Sequence, residues 1–170
     1  MNLPRLSITG QLVIILLSTS ASAGNINTSR SDDFVEAGDI LQIALPALGY
    51  TASLYHRDLE GAKQLTYSLL TSAAIVNALK LSLNRERPNE NKNWDSFPSG
   101  HTAAAFSGAA YLQSRYGPWW GIPAYAAAVV VGASRIHGRR HFSDDVIAGA
   151  SISFLVNQIY LSKYFDPSIR

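Results

Sequence analysis

Gln64-Leu-Thr-Tyr-Ser-Leu-Leu-Thr-Ser-Ala-Ala-Ile-Val-Asn-Ala-Leu-Lys-Leu-Ser-Leu83 is a run of 20 residues that carries a single charge, Lys80. An ordinary strand has about 5 to 6 residues. Ala and Leu dominate here in place of alternating β-branched residues, so the run predicts a helix. Residues 41–55, 101–115, 119–134 and 146–164 read the same way. The expectation is an all-α fold, a compact bundle of about five core helices. The breaks between them carry their own signals: Asp58 with Gly61, then Pro88, Gly117-Pro118 and Gly138. Proline removes a helical donor, and glycine accepts the left-handed conformation of a helix end. The longest connection, residues 88–98, is too polar for a core, and a loop of that size in a small domain points to function.

Residues 1–23 read as a signal peptide: Arg5, the apolar run 12–17, then Ala21-Ser22-Ala23 as a small-residue cleavage site. Residues 24–33, polar and rich in Asn, Ser and Thr, predict a flexible mature N-terminus, and 34–170 a single helical domain. Export would place that domain in the periplasm or on the outer face of the cell envelope. The chain of 170 residues has no cysteine, which excludes disulfides, thiolate metal sites and thiol catalysis. Its 14 Lys and Arg stand against 12 Asp and Glu, too balanced for a general nucleic-acid partner. The uncharged runs are 16 residues between Asp39 and His56, 16 between Lys63 and Lys80, and 19 over 116–134. A membrane span needs about 20. Two prolines interrupt the longest run, so a soluble or peripherally docked bundle is favoured over an integral one. Nothing in the sequence fixes the oligomeric state.

The unusual polar residues gather where apolar helices meet loops, in three clusters. In the first, Lys80 and Arg87 lie seven apart, two helical turns, and can face one anion; Arg87 offers a planar fork and Lys80 a point charge. Arg85 and Glu86 fit the plainer task of complementing a helix end. The second cluster is Pro98-Ser99-Gly100-His101. Free backbone N–H groups at a helix start, a glycine and a hydroxyl make an anion cradle, and His101 stands in the first turn as a proton donor. In the third, His141 and Asp145 are four apart, so the carboxylate can fix the imidazole tautomer and leave the other nitrogen as a nucleophile. Arg135 can reach the same pocket. His137, Arg139, Arg140 and Asp144 receive no role. The three clusters together supply cations, backbone donors, two histidines and one orienting carboxylate, without the carboxylate pairs that hold magnesium. No metal or cofactor is expected, and metal-free phosphoryl transfer fits this set.

These residues resemble the three-part signature K-x6-R-P, P-S-G-H and S-R-x5-H-x3-D of the type 2 phosphatidic acid phosphatase superfamily, related to bacterial class A acid phosphatases and vanadium haloperoxidases. Every fixed position is present in order from Lys80 to Asp145. The resemblance implies that His141 attacks phosphorus to form a phosphohistidine, that Asp145 orients it, and that His101 protonates the leaving group and later activates water. It implies that Lys80, Arg87 and Arg135 hold the phosphate oxygens, with the Ser99 hydroxyl and the Gly100 N–H. Asp144 adds a second carboxylate beside Asp145; the spacing of four selects Asp145. The expected activity is hydrolysis of phosphate monoesters or pyrophosphates, foremost lipid phosphates of the envelope. The alternatives are a vanadate-dependent haloperoxidase and a non-catalytic anion-binding envelope protein.

Overall fold

The computed structural model describes residues 29–89 and 93–164. Five helices organise them: α1 (Ser29–Tyr55), α2 (Leu59–Leu83), α3 (Gly100–Tyr116), α4 (Pro118–His137) and α5 (Ser143–Tyr160). The described residues contain no strand, so the all-α expectation holds. Residues 1–23, expected to be a signal peptide, and residues 24–28 lie outside the described residues. Residues 29–33, the end of the segment expected to be flexible, form the start of α1. The turns of α1 that follow are anchored by tertiary contact: the Val35 carbonyl accepts from Arg135 Nη2 at 2.6 Å, and Gly38 is buried where a side chain would collide with Ser134 and Arg135.

Local chemistry sets the helix limits. Asp58 caps α2 by accepting from the Gly61 N–H at 2.8 Å. Asn84 closes α2 in the left-handed region at φ 40°, a conformation that asparagine tolerates. Gly117, at φ 91°, lets the chain turn directly into Pro118, the first residue of α4. Pro46 and Pro123 are accommodated inside continuous helices.

Helix α3 is the centre, touching all four others. Its inner positions are small, with Ala103, Ala105, Ala109 and Ala110 buried beside Tyr111 and Leu112. Small residues let backbones approach. A methyl group on Gly108 would fall 2.6 Å from the Leu45 backbone carbon, so α1 crosses α3 almost backbone to backbone. Gly149 brings α5 against the Ser99 carbonyl in the same way. Leu45, Leu65, Tyr111, Leu112, Ala128 and Val131 fill the core. At one end of the bundle a buried pair closes it: Arg115 donates to both oxygens of Asp58 at 2.6 Å, and the Tyr116 hydroxyl adds a bond at 3.0 Å. The other end receives the N-terminal part of α1, the C-termini of α2 and α4, and the N-termini of α3 and α5. The three clusters meet there.

Candidate active site

His141, just ahead of α5, is 3% exposed. Its Nδ1 lies 2.6 Å from the Ser96 carbonyl. A carbonyl can only accept, so Nδ1 carries the proton and Nε2 keeps its lone pair. Burial, followed by the charges of Lys80 and Arg87, pushes the imidazole down to a pKa of about 4. The ring is therefore neutral and nucleophilic near pH 7.

Asp145 is fully buried at the start of α5. Its Oδ2 accepts from the Ser96 hydroxyl at 2.5 Å and from the Phe142 N–H at 2.8 Å, and its Oδ1 accepts from Arg85 Nη1 at 2.8 Å. The sequence reading has this carboxylate bonded to the imidazole. The structure places Asp145 Oδ2 3.7 Å from His141 Nδ1, with Ser96 between them: its hydroxyl goes to Asp145 and its carbonyl to His141. Asp144 is exposed and pairs with Arg85 at 2.5 Å. Arg85, read as a helix-end charge, thus bridges both aspartates, and it also stacks over the Phe142 ring 4.4 Å from the centroid.

Lys80 and Arg87 reach the same pocket and both act on His141. Each is held by Asp95 of the connecting segment. Arg87 donates Nε and Nη2 to the two carboxylate oxygens at 2.7 and 2.8 Å, and Lys80 bonds to the Asp95 carbonyl. Burial lowers the Lys80 pKa, with Asp95 opposing. Burial raises the Asp95 pKa, but the Arg87 hydrogen bonds and charge outweigh it and hold the carboxyl below its ordinary value.

On the other side of the pocket stand His101 and Arg135. Arg135 is fully buried. It donates Nη1 to Asp39 Oδ1 at 2.5 Å, Nη2 to the Val35 carbonyl at 2.6 Å and Nε to Ser134 Oγ at 3.1 Å. The same Asp39 oxygen lies 3.1 Å from His101 Nε2, and Arg140 Nη1 approaches Asp39 Oδ2 at 3.5 Å. Burial and then Arg135 lower the His101 pKa, with Asp39 opposing. Arg87 is near enough to oppose the charge of Arg135, so the two sides adjoin.

Ser99 is fully buried as the cap of α3, and its Oγ accepts from Thr102 Oγ1 at 2.9 Å and from the Thr102 N–H at 3.4 Å. In that arrangement the Ser99 hydroxyl keeps its own proton to donate. Gly100 opens α3, where the first backbone N–H groups have no partner within the helix. Sequence reasoning missed Asp39, Asp95 and Ser96 and misjudged Arg85. Arg85 lies inside the first cluster and Asp95 and Ser96 lie between the first and second, whereas nothing near Asp39 distinguishes it. Among the described residues no group of three or more His, Cys, Asp or Glu is placed to hold a metal ion.

Residues 61–167 match the model of the PAP2 superfamily. The lipid A 1-phosphatase of Porphyromonas gingivalis is 36% identical over 124 residues, which are 69% of this chain and 27% of that protein. The chain thus spans about a quarter of that relative. The lipid A 4'-phosphatase of Helicobacter pylori is 30% identical over 140 residues, covering 76% of the chain and 70% of the relative. Among solved structures, Aquifex aeolicus LpxE superposes with a TM-score of 0.66 at 24% identity, over 94% of this chain and 98% of that one. A Bacillus subtilis transmembrane PAP2-type phosphatidylglycerolphosphate phosphatase gives 0.50 at 21% identity, over 89% and 90%. Both likenesses concern the fold.

Proposed function

Because the chain belongs to the PAP2 superfamily, we propose that it is a phosphatase that hydrolyses phosphate monoesters or diphosphates of envelope lipids through a phosphohistidine on His141. The observation that carries this reading is the state of His141: buried, neutral, with Nδ1 spent on Ser96 and Nε2 available beside Lys80 and Arg87. In the first step Nε2 bonds to phosphorus as the bond to the leaving oxygen breaks, and His101 gives that oxygen a proton. In the second, water attacks the phosphohistidine, His101 takes a proton back, and phosphate leaves with Nε2 restored. Lys80, Arg87 and Arg135 hold the phosphoryl oxygens as they gather charge, helped by the Ser99 hydroxyl and the Gly100 N–H. Proton transfer of this kind contributes about 10² to 10⁴ in rate.

The leaving group lies on the His101 side, in a cleft of about 490 Å³ that Asp32, Glu36, Asp39, His137, Arg139 and Arg140 line. Charges of both signs suit a polar headgroup. Two relatives that act on lipid A favour a phosphorylated glycolipid over a free nucleotide. Envelope lipids also fit the outer surface. Leu54, Leu81, Ile122, Leu155 and Ile159 are exposed, and Trp119 is 90% exposed. Large apolar side chains exposed on several helices suit a lipid surrounding. Among the described residues no helix is long and apolar enough to cross a membrane. The signal peptide proposed for residues 1–23 delivers the domain to the periplasm or outer envelope.

The test is phosphate release from lipid A, isoprenyl diphosphate and a nucleotide in detergent with EDTA, followed by vanadate inhibition and acid-quench trapping of the phosphoenzyme. Turnover of the lipid phosphates with a trapped phosphohistidine is expected. Full activity of His141→Ala refutes the mechanism, and vanadate binding without turnover leaves an anion-binding protein.

A further inference from the structure

We propose that Asp39, on α1 and outside the segment that matches the family, is a positioning residue that holds His101 by Nε2 and Arg135 by Nη1, making Nδ1 of His101 the atom that exchanges the proton. This rests on the phosphatase reading above. One carboxylate oxygen of Asp39 receives both groups, His101 at 3.1 Å and Arg135 at 2.5 Å. Burial favours the protonated acid, but the Arg135 hydrogen bond and charge, then Arg140 and His101, hold the Asp39 pKa below its ordinary value. An ionised Asp39 can only accept, so His101 Nε2 bears hydrogen.

The carboxylates that hold Arg87 and Arg135 do different work. Asp95 occupies the fork of Arg87 with both oxygens, the geometry that a phosphate would use. Asp39 takes a single N–H of Arg135. Five N–H groups are available on a guanidinium, and the bonds to Asp39, Val35 and Ser134 occupy three of them. Two remain for a phosphoryl oxygen while Asp39 stays in place. Asp39 is therefore compatible with bound substrate.

The groups that face His101 are Asp39 from α1, Arg135 from α4 and Arg140 from the connection between α4 and α5. Burial and both arginines favour the neutral ring, and Asp39 opposes them. In the first step the imidazolium gives its Nδ1 proton to the leaving oxygen, and the neutral Nε2–H tautomer that remains is the one Asp39 accepts from. In the second step Nδ1 takes a proton from the attacking water, and the cycle closes.

The experiment is a comparison of Asp39→Asn, Asp39→Glu and His101→Ala, singly and with Asp39→Asn combined with His101→Ala, in the full chain. Asp39→Asn is expected to lower kcat by about 10- to 100-fold, with vanadate inhibition changed less than about threefold. The alkaline limb of kcat/KM moves to lower pH, and Asp39→Glu restores part of the activity. In the His101→Ala background Asp39→Asn costs several-fold less than in the parent, and what remains is its hold on Arg135. The His101 imidazole, followed by NMR titration, shows a lower pKa in Asp39→Asn, a readout independent of turnover. An unmoved limb and an unchanged His101 titration overturn the proposal, as does an equal loss in both backgrounds. If Asp39→Asn fails to fold, the NMR titration of Asp39→Glu decides between an altered and an unaltered His101. Absence of turnover by the unmodified chain refutes the phosphatase reading and leaves the titration to decide the role of Asp39.

Discussion

Asp95 grips Arg87 along one edge of the guanidinium, Oδ1 to Nε at 2.7 Å and Oδ2 to Nη2 at 2.8 Å. A phosphoryl group that binds Arg87 in the same bidentate way must displace this carboxylate. Asp95 is half exposed, and such pairs are worth up to about 1 kcal/mol, or about fivefold. Asp95→Asn is expected to tighten inhibition by vanadate and inorganic phosphate by about two- to fivefold. Inhibition constants measured against a soluble aryl phosphate check this, and weaker inhibition contradicts it.

Activity depends on two imidazoles in opposite protonation states. His141 must be neutral and titrates at about 4, so the rate falls as pH drops through that value. His101 must start protonated, and burial followed by Arg135 lowers its pKa from 6.5, so kcat/KM falls as pH rises through a point below 6.5. The expected profile is a bell with its maximum in the acid range. A maximum above pH 8 on a substrate already ionised across the range contradicts these assignments.

His141 also couples pH to stability. In the unfolded chain the ring binds a proton below about 6.5, whereas the folded ring stays neutral down to about 4. Stability is then lost as pH falls through this interval, by about 3 kcal/mol. Thermal melts of the parent and His141→Gln between pH 7 and 4 measure it. The parent's melting temperature is expected to fall more steeply over that range.

Arg85 and Asp144 should separate cleanly. Arg85→Met removes a charged donor from the buried Asp145, a loss of about 1.5–3 kcal/mol, and loosens the Ser96 and His141 arrangement. Activity is expected to drop at least tenfold. Asp144→Asn changes an exposed partner and should leave activity within about twofold. Parallel kinetics and melts of the two variants give the answer.

At the far end, Arg115→Met strands the buried Asp58 carboxylate. Breaking such a pair costs about 3–5 kcal/mol. The expected outcome is a large fall in denaturation midpoint with kcat/KM of the remaining folded protein unchanged.

The helices were legible because their composition is uniform over many residues; their starts were not. Residues 29–33 look polar and mobile as a sequence, yet the turns of α1 that follow them dock on Arg135 through the Val35 carbonyl and Asp39. Contacts across about 100 positions leave no local trace. The three clusters were legible because phosphate chemistry needs unusual residue types together. Their supports were not: Ser96 acts through its carbonyl as well as its hydroxyl, and a backbone carbonyl has no residue signature. Arg85 was misjudged because its partners, Asp144 and Asp145, are about 60 positions away.

The backbone crossing of α1 and α3 at Gly108 fixes where the functional unit begins. A fragment starting at residue 61 would contain the whole signature, yet it would lack Leu45 against Gly108, the Val35 carbonyl and the Asp39 carboxylate. Its Arg135 would keep full charge in a half-built wall with nothing to answer it. The shortest stretch that identifies the protein is thus smaller than the shortest stretch able to work.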